Sequence, residues 1–266
     1  MRITLGIVPI LLAVVVAGCA AAADGVPGPS IEPDTEAVVL VHGLGRSPLS
    51  MLPLAWTLER DGYRVVNFGY LSPLGGVDEH GQELAEVVAA LQEDPEIDRV
   101  HFVGHSLGNL LIRHALGSDA PVKLGRVVML APPNQGAQAA DRWEPWLGWL
   151  AEPLADLTTD PEGTARTLPA AGRAEVGVIA GAFDDKVRIE ETVLRGQADH
   201  RVVPAGHTFL MWRIDVQRLT LAFLRNGSFA GAIEDQATPE STVEYPPRTI
   251  SSGAGTSMVP RLSQYP

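Results

Sequence analysis

Between Ala37 and Phe223 short apolar runs keep alternating with stripes of helical period, and that order leaves few folds open. Ala37-Val38-Val39-Leu40-Val41 has no polar position, so a strand there must be covered on both faces. Tyr63 to Phe68, Arg99 to Gly104, Arg126 to Leu130 and Val176 to Ala180 read in the same way. Thr192 to Val203 holds at least one more strand, centred on Val202-Val203. Between them Leu84, Val87, Val88 and Leu91 share one face of a helix over Glu83 to Leu91. Ser50 stands where it can cap a helix carrying Met51, Leu54, Ala55 and Leu58. Leu107 to Leu116 gives a third helix, and Trp212, Val216, Leu219 and Phe223 mark a last one. The alternation predicts an α/β fold: a single domain, 36–226, on a mainly parallel sheet with helices on both faces.

Gly104-His105-Ser106-Leu107-Gly108 falls at one of these strand-to-helix junctions. A serine at the tip of so sharp a turn must take a sparsely allowed backbone conformation. The flanking chains then approach closely enough that the positions two before and two after it need glycine. The turn lifts the hydroxyl clear of the sheet and aims a helix N-terminus at it, which favours developing negative charge. G-x-S-x-G in that setting is the signature of a nucleophilic serine, Ser106.

Val41-His42-Gly43-Leu44-Gly45 ends another strand, at the edge where open α/β sheets bind ligands. Glycines on both sides of Leu44 free its backbone N–H to turn toward a carbonyl oxygen. With the N–H of Leu107 it makes a two-donor oxyanion hole. An ordinary glycine turn with structural histidines is the other reading of the segment. His42 and His105 lack carboxylate or histidine partners at ligand spacing, so no metal site is expected.

HGLG followed about sixty residues later by GHSLG resembles the α/β-hydrolase superfamily, and most of all small bacterial esterases and lipases. The resemblance covers roughly Glu36 to Asn226. It implies the α/β-hydrolase fold with an eight-stranded sheet lacking some N-terminal strands, a Ser-His-Asp triad, and no cofactor. The triad order is serine, acid, histidine. Family members carry an Asp after the strand at Val176, three residues before a Val, which favours Asp184; Asp185 is the neighbouring candidate. His207 stands between the final strand and final helix, where the superfamily has its base. His200 competes with it but precedes Val202-Val203 and reads as a loop-orienting residue. Asp141, Asp156 and Asp160 read as solvated charge, and His80, His101 and His114 as partly exposed bystanders.

About forty-five residues, 131–175, separate the strands at Leu130 and Val176, where superfamily members often carry a cap or lid. Trp143, Trp146 and Trp149 recur there at i, i+3 and i+6 and make one aromatic ridge on a short helix. The ridge is either an apolar wall or interfacial lid for an acyl chain, with Trp143 and Trp146 contacting substrate, or simple packing onto the sheet. Tyr70, after another strand end, is a further candidate for the pocket.

The ends carry different information. Arg2 precedes an apolar run from Ile3 to Val16, closed by Val16-Ala17-Gly18-Cys19, which has the shape of a secretory signal. These four residues resemble the lipobox of bacterial lipoproteins, which implies a signal over 1–18, a diacylglyceryl group on Cys19 and a flexible tether over 19–35. An uncleaved membrane anchor is the alternative. Ala20 after the cysteine resembles the outer-membrane sorting pattern, which implies a protein held in a bacterial cell envelope and, in a Gram-negative organism, facing the periplasm. Residues 227–266, rich in Pro, Ser, Thr and Gly, read as a disordered tail. With 20 basic against 32 acidic residues the chain carries a net charge of −12, which argues against a nucleic-acid partner. A single cysteine rules out an intrachain disulfide. The expected activity is hydrolysis of a small-molecule or lipid ester; acyl transfer through the same triad, or a silent envelope binding protein, are the rivals.

Overall fold

A computed structural model of the chain describes residues 35–117 and 121–230. The expected signal, Cys19 and the tether lie outside the described residues, as does the tail from 231 onward. Six strands are present: β1 (Glu36–Val41), β2 (Arg64–Phe68), β3 (Arg99–His105), β4 (Leu124–Leu130), β5 (Val176–Gly181) and β6 (Asp199–Val203). They form one sheet in the order β2-β1-β3-β4-β5-β6, and each neighbouring pair is parallel. The expected mainly parallel α/β architecture is therefore the observed one, with six strands among the described residues, fewer than the family's full eight as expected.

Alternate residues of each strand feed two separate cores. Val39, Val41, Phe102 and Met129 pack under α2 (Val77–Glu93) and α3 (Gly108–Leu116). Val38, Leu40, Val103 and Leu130 pack under α1 (Leu52–Arg60) and α7 (Ile214–Asn226). Strands buried on both faces need no polar position, which is why the runs read as continuous apolar segments. The strand order reverses between β1 and β3, and at such a switch point the following loops diverge and leave a crevice. The HGLG loop leaves β1 there and the serine turn leaves β3 there.

Between β4 and β5 the insert forms α4 (Gln138–Leu147) and two single helical turns, α5 (Pro153–Asp156) and α6 (Thr164–Thr167). Arg113 of α3, almost fully buried, fastens the insert by donating to the carbonyls of Ala165 (2.8 Å), Leu168 and Pro169 (3.0 Å). Burial lowers this guanidinium to about 10, which leaves it charged at neutral pH.

Several local expectations differ from what forms. Ser50 caps no helix: its hydroxyl donates to Ser47 inside a 3-10 turn, and α1 starts after it at Leu52. The second helix begins six residues before Glu83, because Asp78 and Glu79 favour a helix N-terminus and the Asp156 carboxylate accepts the Val77 N–H at 2.8 Å. Trp212 precedes α7 in a 3-10 turn and donates its indole N–H to Ser50. The chain remains packed past Asn226: Phe229 is fully buried with its ring 4.9 Å from Phe223. His80 and His101 are buried, not exposed; His101 Nδ1 accepts the Arg126 N–H at 2.9 Å. Asp156 is a structural acceptor rather than solvated charge, bonded also to Thr164 Oγ1 at 2.6 Å. No helix among the described residues is long and apolar enough to cross a membrane.

Candidate active site

Ser106 follows β3 with a φ of 51°, a conformation that a non-glycine residue adopts only when its surroundings impose it. Those surroundings are visible. The Ser106 N–H extends the sheet pairing by donating to Leu130 at 2.9 Å. Asn109, fully buried one turn into α3, donates its side-chain amide to the carbonyls of Ser106 (3.0 Å) and Leu130 (3.2 Å). A Cβ at Gly104 would collide with Asn109, and one at Gly108 with the backbone of Val41 and His42. The two glycines of the motif thus mark close approaches to α3 and to the HGLG loop.

That loop passes so near that a Cβ on Gly43 would stand 3.0 Å from Ser106 Cβ. Gly45 turns the chain with a φ of 66°. Its N–H donates to Ser72 Oγ at 2.9 Å, and Ser72 is fully buried. Tyr70 donates its hydroxyl to the His42 carbonyl at 2.7 Å and stacks its ring 4.3 Å from the His42 imidazole. Burial raises the Tyr70 phenol, so it stays protonated and remains a donor. Among the described residues the N–H groups of Leu44 and Leu107 have no hydrogen-bond acceptor, whereas those of Gly45, Arg46, Ser106 and Asn109 do.

The loop after β5 brings Asp184 beside His207, with Nδ1 of the imidazole 2.7 Å from Asp184 Oδ2. The other carboxylate oxygen accepts the N–H groups of Lys186 and Val187 at 2.8 and 2.9 Å. Burial alone would raise this carboxyl, but the hydrogen bond and charge of His207 and the two amides outweigh it and hold Asp184 below its ordinary 3.8. A carboxylate at such a site only accepts, so the ring proton lies on Nδ1 and Nε2 is left as the basic nitrogen. Asp185, 79% exposed beside the 1% exposed Asp184 side chain, makes no bond to the ring and lies 3.9 Å from Lys186 Nζ. His200 donates to or accepts from Thr192 Oγ1 at 2.8 Å and stays outside this group.

Ser106, His207, Leu44 and Trp143 line one cavity of about 530 Å³, closed on the insert side by apolar residues such as Ala140 and Leu154. Tyr70 does not line it: the ring is spent behind the HGLG loop, supporting it. Trp146 is 75% exposed on the outer side of α4, and Trp149 lies past the end of that helix, so the expected ridge does not form. Ser72, Asn109, Arg46 and Arg142 belong to the site or its support and were not singled out by sequence. Ser72 bonds to residues 26 and 27 positions away and Asn109 to Leu130, 21 positions away, and no local pattern marks such contacts. Among the described residues no group of three His, Cys, Asp or Glu side chains is arranged to hold a metal ion.

The sequence matches the alpha/beta hydrolase family over residues 38–243. The mature form of Bacillus licheniformis lipase BlEst2 is similar in structure at a TM-score of 0.59, with 20% identity over 76% of this chain and 96% of that one. Pyrococcus furiosus esterase Pf2001 aligns at 0.53 with 18% identity, over 72% and 83% of the two chains. Legionella pneumophila phospholipase PlaB, solved in complex with thio-NAD, aligns at 0.58 with 15% identity, over 76% and 61%. At such identities the likeness is one of fold. No curated protein matches the sequence.

Proposed function

Because the chain belongs to the alpha/beta hydrolase family, we propose that it is a serine hydrolase of carboxylic esters, with Ser106 as nucleophile, His207 as base and Asp184 as the acid of the triad. The observation that carries this reading is the 2.7 Å bond from His207 to Asp184 on the wall of the cavity that Ser106 also lines. In this mechanism Ser106 Oγ attacks the ester carbonyl carbon while His207 Nε2 takes the hydroxyl proton. Asp184 holds the imidazole tautomer and stabilises the imidazolium. The N–H groups of Leu44 and Leu107 receive the oxyanion. The alcohol leaves with the proton from His207, giving an acyl-enzyme. Water, losing a proton to the same nitrogen, then releases the acid and restores Ser106.

A lipid-like ester suits the apolar insert wall, and the lipase and phospholipase folds found above are consistent with it. The lipobox reading of Val16 to Cys19 adds an anchored location in a bacterial envelope, which a diacylglycerol-sized mass increment on the mature N-terminus tests. Labelling with a fluorophosphonate probe tests the enzyme itself. Ser106 takes the label in the wild-type chain, and Ser106→Ala loses both the label and roughly 10⁴–10⁶ of turnover on a short p-nitrophenyl ester. An unlabelled, inactive wild-type protein overturns the proposal in favour of a silent binding fold.

A further inference from the structure

Three cations reach the same cavity from three separate stretches of chain. Arg46 follows Gly45 in the loop after β1, Arg142 lies on α4 of the insert, and Lys186 stands two residues beyond Asp184. The single carboxylate on that wall is Asp185, whose Oδ2 is 3.9 Å from Lys186 Nζ. Three basic groups against one acidic group reverse the balance of the whole chain, which has 20 against 32. Neither Arg46 nor Arg142 is paired with a carboxylate among the described residues, so both charges are available to a ligand in the cavity.

Arg46 is also fixed in place. Its N–H donates to the Gly43 carbonyl at 3.2 Å, its own carbonyl accepts from Ser72 Oγ at 3.4 Å, and its guanidinium lies 6.0 Å from the centre of the Phe209 ring. Its charge is near enough to the serine turn to help keep His105 neutral. An ester bearing no charge makes no use of such a rim, whereas two arginines lining one cavity from separate stretches of chain fit a planar carboxylate or a phosphate.

We propose that the cavity takes esters carrying an anionic group, phosphate or carboxylate, near the scissile carbonyl, and that Arg46 and Arg142 bind that group. The inference rests on the esterase reading above and names its substrate class. Holding the anion in the cavity that Ser106 also lines makes the charge a condition of productive placement of the ester carbonyl.

The test uses the full-length protein and two matched pairs of monomeric substrates. Mono-p-nitrophenyl adipate against p-nitrophenyl hexanoate reads a carboxylate; dihexanoyl phosphatidic acid against dihexanoyl phosphatidylcholine reads a phosphate headgroup with and without net charge. The expected result is a kcat/KM at least about tenfold higher for the anionic member of one pair at low salt, as a charge-assisted contact provides. The pair that shows the preference identifies the source of the anion. Added salt erodes the preference and leaves the neutral ester unaffected. Within an R46Q/R142Q double variant the same ratio falls to about one, mainly through KM, and R46K/R142K restores part of it. Equal rates within both pairs, with hexanoate still turned over, overturn the inference and leave the esterase reading standing. A ratio unchanged in R46Q/R142Q also overturns it. No turnover of any ester, with no fluorophosphonate label on Ser106, brings down both.

Discussion

Nε2 of His105 donates a 2.8 Å hydrogen bond to the main-chain carbonyl of His207, and the two imidazole rings stand 4.9 Å apart. The end of β3 is thereby fastened to the loop that carries His207, the proposed base, so the serine turn and this histidine are located by one shared bond as well as by the sheet. Burial, aided by the charge of His207, pushes His105 down to about 3.

The pH dependence of stability follows from that burial. An unfolded histidine binds its proton near 6.5 and the folded one only near 3, so the stability it contributes is complete above 6.5 and is lost as pH falls toward 3. The urea midpoint is expected to drop from pH 7 to pH 5, with a slope of at most about 1.4 kcal/mol per pH unit for this group. His105→Gln keeps a donor for the His207 carbonyl but does not titrate, and flattens the drop. The slope that remains is shared by the other histidines that burial lowers, His101 (to about 4), His42 and His200.

The acid assignment is decided by two neighbouring carboxylates of opposite exposure. Asp184→Asn leaves the fold intact and lowers kcat by about 10⁴, because the wrong imidazole tautomer is favoured. Asp185→Asn, at an exposed carboxylate, changes kcat on a neutral ester by less than about threefold. Equal losses in the two variants refute the assignment.

Tyr70 and Ser72 support the HGLG loop without lining the cavity that holds Ser106. Tyr70 donates to the His42 carbonyl, and Ser72 accepts from the Gly45 N–H and donates to the Arg46 carbonyl. Tyr70→Phe and Ser72→Ala are each expected to lower kcat about three- to tenfold with KM nearly unmoved, the size of a lost neutral hydrogen bond. A change confined to KM assigns Tyr70 to substrate contact instead.

Gly108 is confined by backbone on its open side, so its substitution cannot be absorbed by a side chain moving away. Gly108→Ala is expected to cost about 1–3 kcal/mol in chemical denaturation by forcing α3 from the HGLG loop. Unchanged stability contradicts the close approach.

Much of this architecture is legible in the sequence because its determinants are local. A doubly buried strand needs an unbroken apolar run, as at Val38 to Val41, and the serine turn needs glycine at Gly104 and Gly108. Asp184 is favoured over Asp185 only by the resemblance, three residues before Val187, and His207 over His200 by standing between the final strand and the final helix. What stayed hidden depends on pairs distant in sequence. Tyr70 looks like any aromatic residue after a strand until the His42 carbonyl lies against its hydroxyl. Glu83 looks like a helix start because the acceptor at the true N-terminus, Asp156, lies 79 residues further along. Trp149 fits a helical spacing that the chain abandons after Leu147, where Gly148 follows. Arg46, Arg142 and Lys186 are unremarkable surface residues singly and meet only across the cavity.

The insert contributes Glu152 and Asp156 as acceptors for the N–H groups of Gly75 and Val77, at 2.9 and 2.8 Å. Those amides open α2, a helix of the main body, so the appendage over the cavity is stitched into the scaffold it covers. Transplanting it between relatives to alter selectivity therefore requires carrying both carboxylates along. A graft without them would leave the first turn of α2 fraying, and a change meant for the substrate would emerge as a loss of folded protein.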